Sequence, residues 1–152
     1  MRLNWYKTLP KGYKAMLELQ KVVDESKIDH KLLELVKIRA SQINGCGHCL
    51  DMHTKDAIAL GEDQQRLHVL AAWKEAPFYS PRERAALAWC ESLTNISNIG
   101  APDEVYKEVE SLFSPEELVE LTISIVAING WNRLAVGFRS EVGNYVSNKK
   151  PV

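Results

Sequence analysis

The sequence predicts an all-α fold, and three observations support that prediction. Apolar residues recur at the spacing of helices, about 3.6 residues per turn, in seven successive segments. No segment alternates convincingly between apolar and polar residues, as a strand would. Segments 80–83 and 114–117 both read Ser-Pro-x-Glu, the pattern of a capped helix start. We therefore expect about seven helices, joined by short loops, in a single domain that spans residues 1–152.

Residues 1–29 are expected to form an arm and one helix. Residues 1–10 indicate an extended arm, with Trp5 and Tyr6 packed on the domain or on a neighbouring subunit. Residues 13–26 carry apolar side chains at the spacing of an amphipathic helix. The first of the seven helices therefore lies within this segment.

The middle of the chain is predicted to form three helices. Asn44 and Gly45 separate the first two of them, because both residues favour turns. Gly61 is a natural C-terminal cap for the second. The predicted ranges are 30–43, about 46–60, and 63–74.

Three further helices are predicted in the last part of the chain, with a loop over residues 95–101. The first two cover 81–94 and 102–113, and the last begins after Ser114 and carries its apolar run over 118–128. Several polar residues then follow. Because buried polar groups need partners, we expect them to tie helix ends or subunits together. They are Asn129, Trp131, Asn132 and Arg133.

The composition is that of an ordinary globular protein. Apolar residues make up 45% of the chain, and the formal net charge is −1 with neither sign strongly clustered, which argues against a nucleic-acid surface. No apolar run approaches the roughly 18 residues of a membrane span, and the N-terminus is too short and polar for a signal peptide. We expect a cytoplasmic protein, in which a Cys-x-x-Cys pair indicates catalysis or metal binding.

The strongest candidate for a site is the segment 44–53, which contains the motif Cys-Gly-His-Cys followed by a histidine. At about 100° per residue, Cys46, Cys49 and His53 share one helix face, whereas His48 points elsewhere. Cys49 and His53 have the i,i+4 spacing of direct contact, so the imidazole can take the thiol proton. We therefore expect the pKa of Cys49 to lie below its usual value of about 8.5.

Two other interpretations of this segment remain open. Two buried thiols beside a surface histidine would carry no chemistry, but the helix start, the cysteine pair and the histidine coincide. Zinc needs four ligands, commonly in two pairs, and His30 and His68 are isolated. We therefore expect a redox-active dithiol with no metal and no bound cofactor. Cys90 lies within an apolar helix and is expected to be a small core residue.

Glu34 extends the motif, and the extended motif resembles that of a known family. Eleven residues separate Glu34 from Cys46, and three separate Cys49 from His53. The chain thereby resembles the alkylhydroperoxidase D-like proteins of the carboxymuconolactone decarboxylase superfamily. Residues 131–134, Trp-Asn-Arg-Leu, match a late motif of its single-domain members. The resemblance covers a core of about residues 30–138.

The resemblance implies an alkylhydroperoxidase D-like helical domain that assembles into trimers or hexamers. It also implies a thiol-dependent peroxidase and disulfide reductase, in which Cys49 attacks and Cys46 resolves. Glu34 and His53 would form a proton relay, and burial is expected to raise the pKa of Glu34. His48 matches a histidine of well-studied members. The implied partners are a hydroperoxide substrate and a dithiol reductant protein, with no nucleic acid and no membrane.

Two alternative functions remain at this point. One is a non-catalytic oligomer that senses redox state or binds a metal. The other is a lactone decarboxylase-like enzyme of the same superfamily, although such members characteristically lack the cysteine pair. Turnover of a hydroperoxide with a dithiol, by metal-free protein, would distinguish the peroxidase from the non-catalytic oligomer.

Overall fold

The computed structural model of the protein describes residues 1–150, and over that range every regular element is a helix. There are nine α-helices and one short 3-10 helix in the described range. In chain order they are α1 (Trp5–Thr8), α2 (Pro10–Asp24), α3 (His30–Ile43), α4 (Gly47–Ala59), α5 (Gln64–Val69), the 3-10 helix Leu70–Ala72, α6 (Pro81–Thr94), α7 (Ile96–Ile99), α8 (Asp103–Leu112) and α9 (Pro115–Phe138). The prediction of an all-α fold is confirmed.

The seven predicted helices correspond to α2–α6, α8 and α9. The two additional helices, α1 and α7, are single turns in segments predicted to be an arm and a loop. Asn4 caps α1, because its side chain accepts a hydrogen bond from the backbone N–H of Lys7 at 3.1 Å. The predicted helix 63–74 tightens into the 3-10 helix after Val69.

Helix α9 is much longer than predicted, because it continues past residue 128 to Phe138. Its Ser114 capping box is present as predicted. The polar residues that were expected to follow the helix lie inside it and find partners there. The Asn44 side-chain amide donates to the side-chain oxygens of Asn129 at 3.0 Å and Asn132 at 2.8 Å. These bonds satisfy buried polar groups, so the helix can continue through them.

Helix α3 is the central element, and it packs against α4, α6 and α9. One of its faces, with Leu33 and Val36, joins an apolar cluster that includes Ile125 of α9. Another face, with Leu35 and Ile38, joins a second apolar cluster formed with residues of α5, α6 and the 3-10 helix. Because α3 is buried on two faces, three of its polar residues, Glu34, Lys37 and Ser41, are also removed from water.

The N-terminal segment packs on its own chain. The backbone N–H of Arg2 donates to the carbonyl of Phe138 at 2.8 Å. The Trp5 ring lies 5.5 Å from the Tyr13 ring and 6.1 Å from the Trp131 ring, measured between centroids. Of the two positions expected for Trp5, the structure therefore shows packing on its own domain.

The C-terminal segment, residues 141–149, lies along α4. The Lys55 ammonium donates to the carbonyl of Tyr145 at 2.9 Å, and the backbone N–H of Gly143 donates to Asp51 Oδ2 at 3.1 Å. This segment has no counterpart among the sequence-based expectations. Across the described residues, every helix is too short or too polar to cross a bilayer.

Candidate active site

The turn between α3 and α4 brings the cysteine motif to the start of α4. Gly45 adopts φ +64°, a conformation that costs glycine little because it has no Cβ. Cys46 is the N-cap of α4, and its sulfur accepts a hydrogen bond from the backbone N–H of Cys49 at 3.4 Å. The expected position of the pair at a helix N-terminus is therefore confirmed.

The two sulfurs form a buried pair of free thiols. Their Sγ atoms lie 2.8 Å apart, and the two residues are 1% and 3% exposed. The hydrogen bond with Cys49 lowers the pKa of Cys46 to about 6, even though burial opposes this shift. The Cys49 N–H, the positive charge of His48 and the Asn132 side chain act in the same direction.

The pKa of Cys49 is raised, by its hydrogen bond with Cys46, by burial and by the negative charge of that sulfur. The prediction that His53 lowers the pKa of Cys49 is therefore wrong for this structure. The His53 ring is turned toward α3, where its Nδ1 donates to Glu34 Oε2 at 2.8 Å.

Glu34 is a buried carboxylate with two cationic or proton-donating neighbours. It is 2% exposed, and the Lys37 ammonium lies 2.8 Å from its Oε1. Burial by itself would raise the pKa of Glu34. The hydrogen bond from His53 and the charges of Lys37 and His53 outweigh burial and lower the pKa to about 2. The expectation of a raised pKa is therefore wrong, and Glu34 is ionised at neutral pH.

Asp56 belongs to the same site, although it was not among the residues expected there. It is 4% exposed, and it accepts hydrogen bonds from the Tyr145 hydroxyl at 2.8 Å and the Ser147 hydroxyl at 2.5 Å. Asp56 follows Cys49 by seven residues, so the two share a helix face to within about 20°. That spacing was an available signal for Asp56. The sequence offers none for Tyr145 or Ser147, which come from a distant segment.

Within residues 1–150, one group of side chains is placed to share a cation. It consists of Glu34, His53 and Asp56. Each offers one ligand atom, and these atoms lie within 4.8 Å of one another. Their polar atoms already have protein partners, because Lys37 neutralises Glu34 and Tyr145 donates to Asp56. The cysteine pair is not part of this group.

His48 points away from the face that Cys49 and His53 share, as expected. Its Nδ1 donates to the carbonyl of Glu141 at 2.6 Å. Beside it, a cleft of about 240 Å³ reaches Cys46 between the start of α4 and the end of α9. Cys46, rather than Cys49, therefore faces this cleft.

Two structural expectations about polar residues and Cys90 are confirmed. Asn132 ties α9 to α3, because its side-chain amide donates to the Ser41 hydroxyl at 3.0 Å. Trp131 ties α9 to α2 through a hydrogen bond to Gln20 at 3.0 Å. Cys90 is fully buried, and burial raises its pKa to about 12, so it is a core residue.

The fold and the site define an all-helical protein with a buried cysteine pair at a helix N-terminus, next to a buried glutamate–histidine pair. The chain belongs to the carboxymuconolactone decarboxylase family, whose model matches residues 10–92. YdfG, an uncharacterized protein of Bacillus subtilis strain 168, is 42% identical over 148 residues, which are 97% of this chain and 98% of YdfG.

Solved structures show the same fold. One is a crystal structure of an Agrobacterium tumefaciens protein of unknown function that has been suggested to be the antioxidant defence protein AhpD. It has a TM-score of 0.91 and 42% identity, covering 95% of this chain and 99% of that one. The debrominase Bmp8 has a TM-score of 0.81 at 22% identity, over 91% of this chain and 74% of Bmp8, and at that identity it shows the fold alone. The resemblance to AhpD-like proteins is confirmed.

Proposed function

We propose that the protein is a thiol-dependent peroxidase that also acts as a disulfide reductase. The observation that carries this proposal is the buried pair of free thiols, 2.8 Å apart, in which the pKa of Cys46 is lowered to about 6. Such a pair supplies a thiolate at neutral pH and a second thiol within reach. The relative from Agrobacterium tumefaciens, 42% identical and suggested to be the antioxidant defence protein AhpD, supports a role in antioxidant defence.

In the proposed cycle, the Cys46 thiolate attacks the distal oxygen of a hydroperoxide. The O–O bond breaks, the alkoxide leaves as an alcohol after taking a proton, and Cys46 becomes a sulfenic acid. The Cys49 sulfur then attacks the Cys46 sulfur, a disulfide forms, and the sulfenic oxygen leaves as water with the Cys49 proton. A dithiol reductant protein restores both thiols by exchange and becomes a disulfide itself.

This cycle assigns attack to Cys46, whereas the sequence and the resemblance assigned it to Cys49. Three features support the change. Cys46 has the lowered pKa, its sulfur accepts the backbone N–H of Cys49 at the start of α4, and it faces the cleft. Cys49 has a raised pKa, so it suits the resolving role, in which it reacts as a neighbouring thiol.

We propose that Glu34 and His53 serve the resolving step. The Glu34 carboxylate only accepts hydrogen bonds, so Nδ1 of His53 donates to it, and this contact fixes the orientation of the ring. His53 lies one helical turn after Cys49 on the same helix. In this proposal, the Glu34–His53 pair relays the proton that Cys49 loses as the disulfide forms.

Turnover of tert-butyl hydroperoxide by metal-free protein with dithiothreitol tests the activity. Cys49→Ser should react once and stop as a sulfenic acid on Cys46, which dimedone labelling and mass spectrometry detect. Cys46→Ser should react about tenfold more slowly, because burial still raises the pKa of the remaining thiol, Cys49, which does not line the cleft. Cys90→Ala is the matched control and should turn over like the wild type.

Faster dimedone labelling of Cys49 in Cys46→Ser than of Cys46 in Cys49→Ser would return the attacking role to Cys49. A wild-type protein that forms the disulfide but does not turn over would support a redox sensor in place of the peroxidase.

A further inference from the structure

The C-terminal segment is tied to successive turns of the helix that carries the cysteine pair. Near the start of α4, the Glu141 carbonyl accepts a hydrogen bond from Nδ1 of His48 at 2.6 Å. In the third turn of α4, the hydroxyls of Tyr145 and Ser147 donate to the same oxygen, Asp56 Oδ1, at 2.8 and 2.5 Å. The segment therefore follows α4 from the cysteine motif to Asp56.

The contacts that hold the segment are mainly polar. Tyr145, Ser147 and Lys149 are partly buried, and the residues between them are exposed. The two valines of the segment, Val142 and Val146, are 58% and 84% exposed, so the segment buries little apolar surface. Because each hydrogen bond contributes a modest net free energy, a segment held in this way opens locally at much less cost than the whole protein unfolds.

The segment borders the cysteine pair at two points. Val142 lines the cleft that reaches Cys46. Further along, the Tyr145 hydroxyl contacts Asp56, which shares the helix face of Cys49 to within about 20°. The residues that hold the segment on α4 thus lie beside the two thiols.

Access limits what the two thiols can react with. Cys46 and Cys49 are 1% and 3% exposed, and both belong to the apolar cluster formed with α3 and α9. A small oxidant needs only a narrow opening, whereas the sulfur of a protein dithiol has to touch one of the two sulfurs. Since the surrounding helices are part of the core, the C-terminal segment is the neighbouring element that moves at the least cost.

We propose that the C-terminal segment selects by size the molecules that reach the cysteine pair, and that the hydrogen bonds of Tyr145 and Ser147 to Asp56 hold it closed. In the closed position, which this structure shows, the pair admits small reagents. When the segment leaves α4, a protein dithiol reaches the pair. The part played by a protein dithiol rests on the proposed function, whereas the selection by size rests on the contacts of the segment.

Alkylation with two neutral maleimides of different size tests the selection without any peroxide. N-ethylmaleimide and N-pyrenylmaleimide react with the same thiolate, so a change in thiol pKa cancels in the ratio of their rate constants. The double variant Tyr145→Phe with Ser147→Ala removes both donors to Asp56. It should raise the ratio of the pyrenyl to the ethyl rate constant about tenfold, the effect of one to two hydrogen bonds on an opening equilibrium. Rates are read by mass spectrometry on the peptide that contains both cysteines.

Two further variants accompany this measurement. Tyr145→Phe alone should raise the ratio by a smaller factor, and it keeps the test decisive if the double variant does not fold. Val146→Ala changes the same segment at a residue that faces water and should leave the ratio unchanged. Circular dichroism checks that each variant keeps its helices. The wild-type ratio in folded Tyr145→Phe and double-variant proteins would overturn the selection by size.

Turnover of tert-butyl hydroperoxide with two reductants tests the protein dithiol. The double variant should raise kcat/KM for reduced thioredoxin about tenfold and leave kcat/KM for dithiothreitol within about twofold of the wild type. Wild-type values with both reductants would overturn the selection of a protein dithiol and leave the peroxidase standing. A size-dependent alkylation ratio without turnover of any hydroperoxide would support the selection by size and refute the peroxidase.

Discussion

At the scale of single residues, Glu34 shows how burial and charge compete. Burial raises the pKa of a carboxyl, yet two neighbours placed within 2.8 Å lower it to about 2. Lys37 is itself 5% exposed, so each member of the pair depends on the other. Removing one partner of such a pair leaves an uncompensated buried charge, which costs more than removing both.

Glu34→Gln should therefore lower the free energy of unfolding by about 3–5 kcal/mol, because it leaves the Lys37 ammonium buried without a counter-charge. The double variant Glu34→Gln with Lys37→Met should recover most of that loss. Urea unfolding at pH 7 measures both variants. If the double variant is no more stable than the single one, the two residues are not coupled in this way.

The same pair predicts a pH dependence of stability. The folded-state pKa of Glu34, about 2, lies below its ordinary value of 4.5, so its stabilising effect is complete above pH 4.5 and is lost as pH falls toward 2. The wild type should therefore lose more stability between those pH values than the double variant does. Parallel loss in both proteins would contradict the lowered pKa.

The thiol pair gives a second prediction at this scale. The rate of alkylation of Cys46 should rise with pH around a midpoint near 6 and then level off, because the reactive form is the thiolate. Cys49→Ser should shift that midpoint upward, since the hydrogen bond with Cys49 is the main cause of the lowered pKa. Iodoacetamide, which is neutral, is the suitable reagent. A midpoint near 8.5 in the wild type would contradict the assignment of the charge to Cys46.

At the scale of elements, the C-terminal segment completes the site that α3 and α4 form. It carries the Tyr145 hydroxyl to Asp56, and burial, together with the hydrogen bond to that carboxylate, raises the pKa of Tyr145 to about 12. The segment has no helical structure of its own, so its position depends on contacts with α4. A segment held in this way contributes to stability through a few specific hydrogen bonds.

Tyr145→Phe should lower the free energy of unfolding by about 1–2 kcal/mol, because Asp56 loses a donor in a buried position. Tyr106→Phe is the matched control. Tyr106 also donates to a carboxylate, that of Glu110 at 3.2 Å, but on the exposed surface of α8. Its effect should stay within about 0.5 kcal/mol. Equal effects of the two substitutions in urea unfolding would show that Asp56 does not depend on Tyr145.

At the scale of the whole molecule, α9 presents an outer face that is more apolar than a monomer needs. Val119 and Val126 are 61% and 52% exposed, and they lie seven residues apart on one side of the helix. Part of this face borders a groove of about 380 Å³ between α8 and α9. Exposed apolar surface of this kind marks interaction sites.

We therefore predict a homo-oligomer, a trimer or a hexamer, with α9 in the interface. Val126→Glu should shift the mass measured by light scattering at micromolar concentration toward that of one chain. Val146→Glu is the control, because Val146 is 84% exposed in the C-terminal segment and should not affect assembly. A wild-type protein with the mass of one chain would refute the prediction.

The sequence alone determined the features that depend on short-range order. Helical spacing and the capping boxes at Ser80 and Ser114 are local, so the seven main helices and their starts could be predicted from them. The spacing from Glu34 to His53 involves only two consecutive helices, α3 and α4, so it too is a short-range feature. The motif therefore identified the family and indicated a candidate site before any contact was known.

The tertiary structure decided the partners and charges within that site. Periodicity placed His53 on the face of Cys49, but the buried Glu34 carboxylate of α3 attracts its ring instead. Asp56 accepts hydrogen bonds from residues about ninety positions away in the sequence. Helix α9 continues through Asn132 because the side chain of Asn44 donates a hydrogen bond to it. Which sulfur carries the charge depends on hydrogen bonds and desolvation, and both arise only when distant segments pack together.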